Sequence, residues 1–136
     1  MGMRDDIKRV KVDIRQSTAK EIIRLALDIH GELVDNPPQG TPVDTGWASA
    51  NWWPAVGTAP TGNTGTPEQG SVGGRQVQQA AGVEQVLSYT LSTTPIYITN
   101  NVPYINRLNN GWSQQSPAGF VDRAVQVAVS KFRAKQ

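Results

Sequence analysis

Residues 41–56 read TPVDTGWASANWWPAV, and the fold turns on how they are understood. Asp44-Thr45-Gly46 is the triplet of an aspartic-protease site, which would make the chain half of a dimeric enzyme whose two carboxylates share a proton. The surroundings argue against it. That motif expects an apolar strand before the Asp and a small residue after the Gly, whereas Thr41-Pro42-Val43 precedes and Trp47 follows. A loop-to-strand corner accounts for the same letters: Pro42 fixes φ, the Asp44 carboxylate accepts from nearby amides, and Gly46 permits positive φ. Beyond the corner, Trp47, Ser49, Asn51 and Trp53 fall on one side of an extended chain and Ala48, Ala50, Trp52 and Ala55 roughly on the other. This predicts a strand over 47–56, with Pro54 placing it at or near a sheet edge.

Upstream, Ile7, Val10, Ile14, Ile22, Ala26, Ile29 and Leu33 recur at helical spacing, with charges of both signs between them. The pattern predicts a long amphipathic helix from about Arg4 to Val34, or two helices joined near Ser17-Thr18. It ends before Pro37-Pro38, since proline lacks an amide donor and restricts its predecessor. Downstream, residues 57–74 carry no large apolar side chain but Val72. Such a segment recovers little ordering entropy by burial, and a mobile loop is expected.

Arg75 to Leu87 has helical spacing despite Gly82, and Thr94 to Asn100 reads as a β-branched, aromatic strand ending in an Asn-Asn turn. Pro103 to Leu108 suits one helical turn, stopped by Asn109-Asn110-Gly111. A final helix is expected with Ser116 as cap, Pro117 in the first position and Lys131, Arg133 and Lys135 at its C-terminal end. The order of elements predicts a single α+β domain over 1–136, its long N-terminal and C-terminal helices packed on one face of a small, mostly antiparallel sheet, with a long flexible loop at 57–74.

Composition narrows the chemistry. The 136 residues contain no cysteine, which excludes disulfides, thiolate metal sites and thiol nucleophiles. Thirteen basic and eleven acidic side chains give a net charge of +2, too slight to name a polyanionic partner. No apolar run approaches a membrane span, and MGMRDDIKRVKVD does not resemble a secretion signal, so a soluble, unexported protein is expected. His30 is the only histidine and lies within the first helical pattern, where a structural contact suits it better than metal ligation or a Ser/His/Asp array. No catalytic, cofactor or metal site is predicted. The alternative reading is a nucleic-acid-binding module using Lys8, Arg9, Lys11, Arg15, Lys20 and Arg24, although Asp5, Asp6, Asp13, Glu21 and Asp28 interleave with these bases.

Two stretches, PVDTGWASANWWPAVG at 42–57 and IYITNNVPYINRLNNGWSQQSPAGFVDRAV at 96–125, make up about a third of the chain. Together they resemble the tail-completion, or head-to-tail joining, proteins of long-tailed bacteriophages. In that family a Pro-Val-Asp-Thr-Gly corner enters a strand ending near an Asn-Trp pair. A later strand leads to Asn-Asn-x-Pro-Tyr, a short helix, a Gly-Trp-Ser turn and a Pro-Ala-Gly helix start. The resemblance assigns the structural motif to Pro42, Asp44, Thr45, Gly46, Asn101, Pro103, Tyr104, Gly111, Pro117 and Gly119. Asn109 and Trp47 depart from it, since the family usually has an acid after the Leu and a basic or small residue after the triplet.

What the resemblance implies is a non-enzymatic structural protein of the virion neck, the head-tail interface, assembled in the host cytoplasm. It implies a homo-oligomeric, hexameric ring between head-completion or connector proteins and tail terminator or tail tube proteins. It implies no cofactor and no membrane, and DNA only as the contents of the channel. Trp47 and Trp53 are then candidate interface anchors, with Gly57 and Gly74 bounding a loop that orders on assembly. Trp52 and Trp112 are expected in the core.

Overall fold

The computed structural model describes residues 3–34, 47–66, 74–91, 95–110 and 119–134. Its architecture is α+β: α1 (Met3–Val34), α2 (Trp47–Ala50), β1 (Trp53–Val56), α3 (Gly74–Leu87), β2 (Ile96–Thr99), α4 (Ile105–Asn109) and α5 (Phe120–Ala134). β1 and β2 form a two-stranded antiparallel sheet, with Trp53 opposite Thr99 and Val56 opposite Ile96. Gly57 N–H donates to the Pro95 carbonyl at 2.9 Å and extends the ladder by one residue. The first helix is continuous through Ser17-Thr18. There the Thr18 hydroxyl donates to the Ile14 carbonyl one turn back, so a side chain that could compete with the helix backbone is bonded within the helix and does not break it.

The main core forms where α5 lies against the C-terminal half of α1. Leu33, Trp52, Phe120 and Ala124 make one buried cluster, closed by Ile29, Ile98, Ile105 and Leu108. Burying side chains such as Leu33 and Phe120 contributes about 1.5–3 kcal/mol each. Toward the other end of the pair, the Arg24 guanidinium stands 5.2 Å over the Phe132 ring, so the two helices run antiparallel. Lys131 Nζ also donates to Glu32 Oε1 at 2.6 Å. The N-terminal half of α1 takes no part, because Ile7, Val10 and Ile14 are exposed. The single apolar stripe expected along the whole helix is therefore two stripes on different faces.

The strand expected over 47–56 begins only at Trp53. Trp47–Ala50 is a helical turn, closed by the Asn51 N–H on the Ala48 carbonyl at 3.1 Å. All nine residues from Trp47 to Ala55 are buried. Both sides of the segment face protein, so alternation of side chains carries no inside-outside information and cannot distinguish a strand from a turn of helix.

Pro54 does sit on an outer edge. Trp53, Ala55 and Gly57 have the parity that faces β2, so Pro54 and Val56 point away from it, and the missing proline donor breaks no ladder bond. Helix α3 covers that edge. Gln79 Nε2 donates to the Trp52 carbonyl at 3.3 Å, Gly82 abuts the Pro54 carbonyl, and Gln85 Oε1 accepts from the Val56 N–H at 3.2 Å. Three α3 residues at i, i+3 and i+6 thus meet three alternate positions of the strand, a seal that leaves no bare edge on this side.

The last helix starts later than expected. Gly119 has φ +79°, outside the helical region, and α5 begins at Phe120 rather than at Pro117. Its cap comes from α4: Asn109 Oδ1 accepts from the Val121 N–H at 3.1 Å while the Asn109 carbonyl accepts from Gly119 N–H at 2.6 Å. The helix N-terminus has amides without partners inside the helix, and Asn109 meets one of them from outside.

Candidate functional site

The two stretches that carry the family resemblance meet at one place, the contact between α2 and the Asn100-Asn101 turn. Helix α2 presents Trp47, and Asn51 follows directly behind it. Asn51 is 1% exposed and uses its amide fully: Nδ2 donates to the Trp47 carbonyl at 2.7 Å and to the Thr64 carbonyl at 3.0 Å, and Oδ1 accepts from Thr64 N–H at 2.7 Å. Trp47 Nε1 adds a bond to the Thr64 carbonyl at 2.9 Å. The indole packs on the Tyr104 ring, with centroids 5.3 Å apart and planes tilted by 52°, a geometry in which the edge of one ring meets the face of the other.

Three more amides complete the joint. Asn100 Nδ2 donates to the Ala48 carbonyl at 2.8 Å, and its Oδ1 accepts from Val102 N–H at 3.0 Å, which shapes the turn. Asn101 Nδ2 donates to the Pro60 carbonyl at 3.0 Å, and Asn63 Nδ2 returns a bond to the Asn101 carbonyl at 3.1 Å. Residues 60–64, expected to lack anchors because they lack apolar side chains, are held to the body by amide-carbonyl bonds instead. The remainder of the loop, 67–73, lies outside the described residues.

On the far side of β1, the loop start and α3 enclose an open cleft of about 530 Å³, lined by Trp53, Pro54, Val56, Pro60, Ala81 and Gln85 among others. Trp53 Nε1 and the Thr99 hydroxyl, side chains of directly opposed residues, are buried without partners. His30 reaches the same region from α1: its Nε2 lies 3.0 Å from the Trp52 carbonyl, so this nitrogen carries the proton and donates. The histidine ties α1 to the segment between α2 and β1.

The hydrogen bonds named at the joint run between side-chain amides, an indole N–H and backbone amides and carbonyls, groups that bind and position. The described residues contain no group of three His, Cys, Asp or Glu able to hold a metal ion, and no helix among them is long and apolar enough to cross a membrane. Lys131, whose pKa is raised by its hydrogen bond to Glu32, belongs to the α1–α5 pair and not to the joint.

The predicted site residues separate into three groups. Pro42, Asp44, Thr45, Gly46, Gly111, Trp112 and Pro117 lie outside the described residues. Asn101, Pro103 and Tyr104 surround the joint, Gly57 ends β1 with φ +93°, Gly74 opens α3 and Gly119 precedes α5. Trp47 and Trp53, the candidate interface tryptophans, are 6% and 8% exposed and pack within the subunit, as Trp52 does. Asn51 and Thr64 are the pair whose role the sequence did not show. The one signal available was an Asn inside a run of small and aromatic residues, where a buried amide must find partners.

No family model, curated protein or solved structure matches the chain.

Proposed function

We propose that this chain is a structural subunit of a phage neck, acting by assembly into a ring that joins the head connector to the tail. The observation that supports the reading is the meeting of the two resembling stretches. They are separated by the whole of α3 in sequence, yet β1 pairs with β2, Asn100 holds Ala48, and Trp47 packs against Tyr104. Residues shared with the tail-completion family thus belong to one structural unit, as expected if a common fold and not chance places them. The departure at 109 fits as well. Asn109 uses its Oδ1 as an acceptor at the α5 N-terminus, a task the family's usual acid would also perform.

In a closed ring each subunit offers one surface to a neighbour and a different one to the neighbour on the other side, so two distinct faces must be complementary. Work of this kind needs a rigid body. The test is negative-stain imaging of particles produced with and without the protein, combined with antibody labelling. Label at the head-tail junction, and unjoined heads and tails in its absence, is the expected result. Complete particles without the protein and no junction label would overturn the reading, and binding to DNA that weakens with salt would then favour the basic helix as a nucleic-acid contact.

A further inference from the structure

The N-terminal half of α1 projects from the body. Among the described residues of α1 the first buried one is Ala19. Residues 3–18 precede it, roughly 24 Å of helix at 1.5 Å per residue. On this arm Met3, Ile7, Val10 and Ile14 are 79%, 60%, 57% and 61% exposed. Their spacing of four, three and four is that of a heptad seam, with Ile7 and Ile14 at one core position and Met3 and Val10 at the other.

The stripe is not an overrun of the subunit core. In the covered half of the helix the buried residues are Ala19, Ala26 and Leu33. At 3.6 residues per turn these lie roughly 130° around the helix from the stripe. The two faces serve different partners.

The sequence identifies the second partner. MRDDI at 3–7 and VKVDI at 10–14 repeat one pattern, apolar, basic, any residue, Asp, Ile, at an interval of seven. By heptad position the basic residue of the pattern falls on one side of the seam and the Asp before the Ile on the other, and in the second heptad Lys11 and Asp13 are both exposed. Two such helices side by side and parallel bring the basic flank of one against the acidic flank of the next. An antiparallel pair would oppose like flanks. A membrane surface fits less well, since an anionic headgroup layer would meet Asp13 beside Ile14.

We infer that the exposed arm of α1 is an assembly device, packing in parallel with the same arm of further copies of this chain into a bundle of three or more helices. The seam, Ile7 and Ile14 at one position and Met3 and Val10 at the other, lacks the leucine that beside a β-branched residue favours two strands. Rotational symmetry about one axis keeps every arm parallel, and the basic-to-acidic contact is heterologous, the kind that closes into a ring. Two heptads are short for a free-standing coiled coil, so assembly depends on concentration. The inference stands on the arm alone, and does not need the neck reading to hold.

Light scattering after size exclusion of the full chain, over a series of concentrations, tests it. The expected mass is at least three times 14.7 kDa at high concentration, and 14.7 kDa for Ile7→Asp/Ile14→Asp with an unchanged melting temperature. Lys11→Asp should reduce the assembled fraction and Lys11→Asp/Asp13→Lys should restore it. Because the chain has no cysteine, Met3→Cys reports orientation, and oxidation should cross-link it to its own copy. A single-chain mass throughout, single-chain binding to phosphatidylglycerol vesicles, or absence of the Met3→Cys cross-link would overturn the inference. A ring that survives Ile7→Asp/Ile14→Asp would overturn it too while leaving the neck reading intact.

Discussion

A Cβ added to Gly82 would lie 2.1 Å from the Pro54 carbonyl oxygen, 2.9 Å from Pro54 Cδ and 3.0 Å from the Pro54 carbonyl carbon. Helix α3 therefore touches β1 backbone to backbone, and only glycine permits the approach. Gly82→Ala should destabilise by about 1–3 kcal/mol through overpacking, in spite of alanine's better helix propensity. Gly31 is the control, since nothing lies within 4 Å of its would-be Cβ in α1. Gly31→Ala should stabilise by up to about 1 kcal/mol, the usual gain at a helix interior. Urea unfolding of the two variants checks the contrast, and equal effects would mean that α3 does not seal the strand.

Two buried tryptophans differ in one hydrogen bond. Trp47 Nε1 donates to the Thr64 carbonyl at 2.9 Å, whereas Trp53 Nε1 is buried without a partner. Replacing either with phenylalanine removes similar volume. Trp47→Phe also loses a bond, while Trp53→Phe removes an unmet donor, so the first should cost at least about 1 kcal/mol more. Chemical denaturation of both variants measures the difference, and a larger loss for Trp53→Phe would reverse the assignment.

The long elements were legible because their periodicity has one buried face. Phe120, Ala124 and Ala128 in α5 are buried at helical spacing, and Pro54 marked its own edge by lacking a donor. What escaped reading has identifiable causes. In Trp47–Ala55 every position is buried, so hydrophobic pattern could not separate the α2 turn from β1. In α1 two apolar stripes of different orientation lie end to end and imitate one. At 60–64 the anchors are amides and backbone carbonyls, which leave no apolar signature, and the Asn51–Thr64 pairing spans a separation that no local rule covers.

The α1–α5 pair carries a pH signature. Lys131 is raised above its ordinary value by its hydrogen bond to Glu32 and by that carboxylate's charge. A cation with a raised folded pKa contributes its stability in full below the unfolded value, and loses it as pH climbs through the folded one. The melting-temperature difference between wild type and Lys131→Gln should thus hold steady through neutral pH and shrink only above the ordinary lysine value of about 10.4. With Lys131 57% exposed and Glu32 only 11%, the pair faces solvent on the lysine side and should weaken in part with added salt. A difference that disappears by pH 9 would show that the contact is not an ion pair in solution.

Asn51 offers the sharpest test of the joint, because its donor and acceptor ends have separate tasks. Asp differs from it by little in shape, keeps an acceptor for Thr64 N–H, and loses both donors. Asn51→Asp would set carboxylate oxygen against the Trp47 and Thr64 carbonyls, which now receive Nδ2 at 2.7 and 3.0 Å. At a site 1% exposed the anion has no water to turn to, and a loss of roughly 3 kcal/mol or more is expected. Protonating the carboxyl restores one donor, so the variant should recover part of its deficit as pH falls. Thr64 should become the reporter of the loop, its amide exchanging faster with solvent than in wild type while amides of α5 remain protected. An Asn51→Asp chain with wild-type stability at neutral pH, and an unchanged Thr64 exchange rate, would mean that the residues around 60–64 are held by something other than this amide.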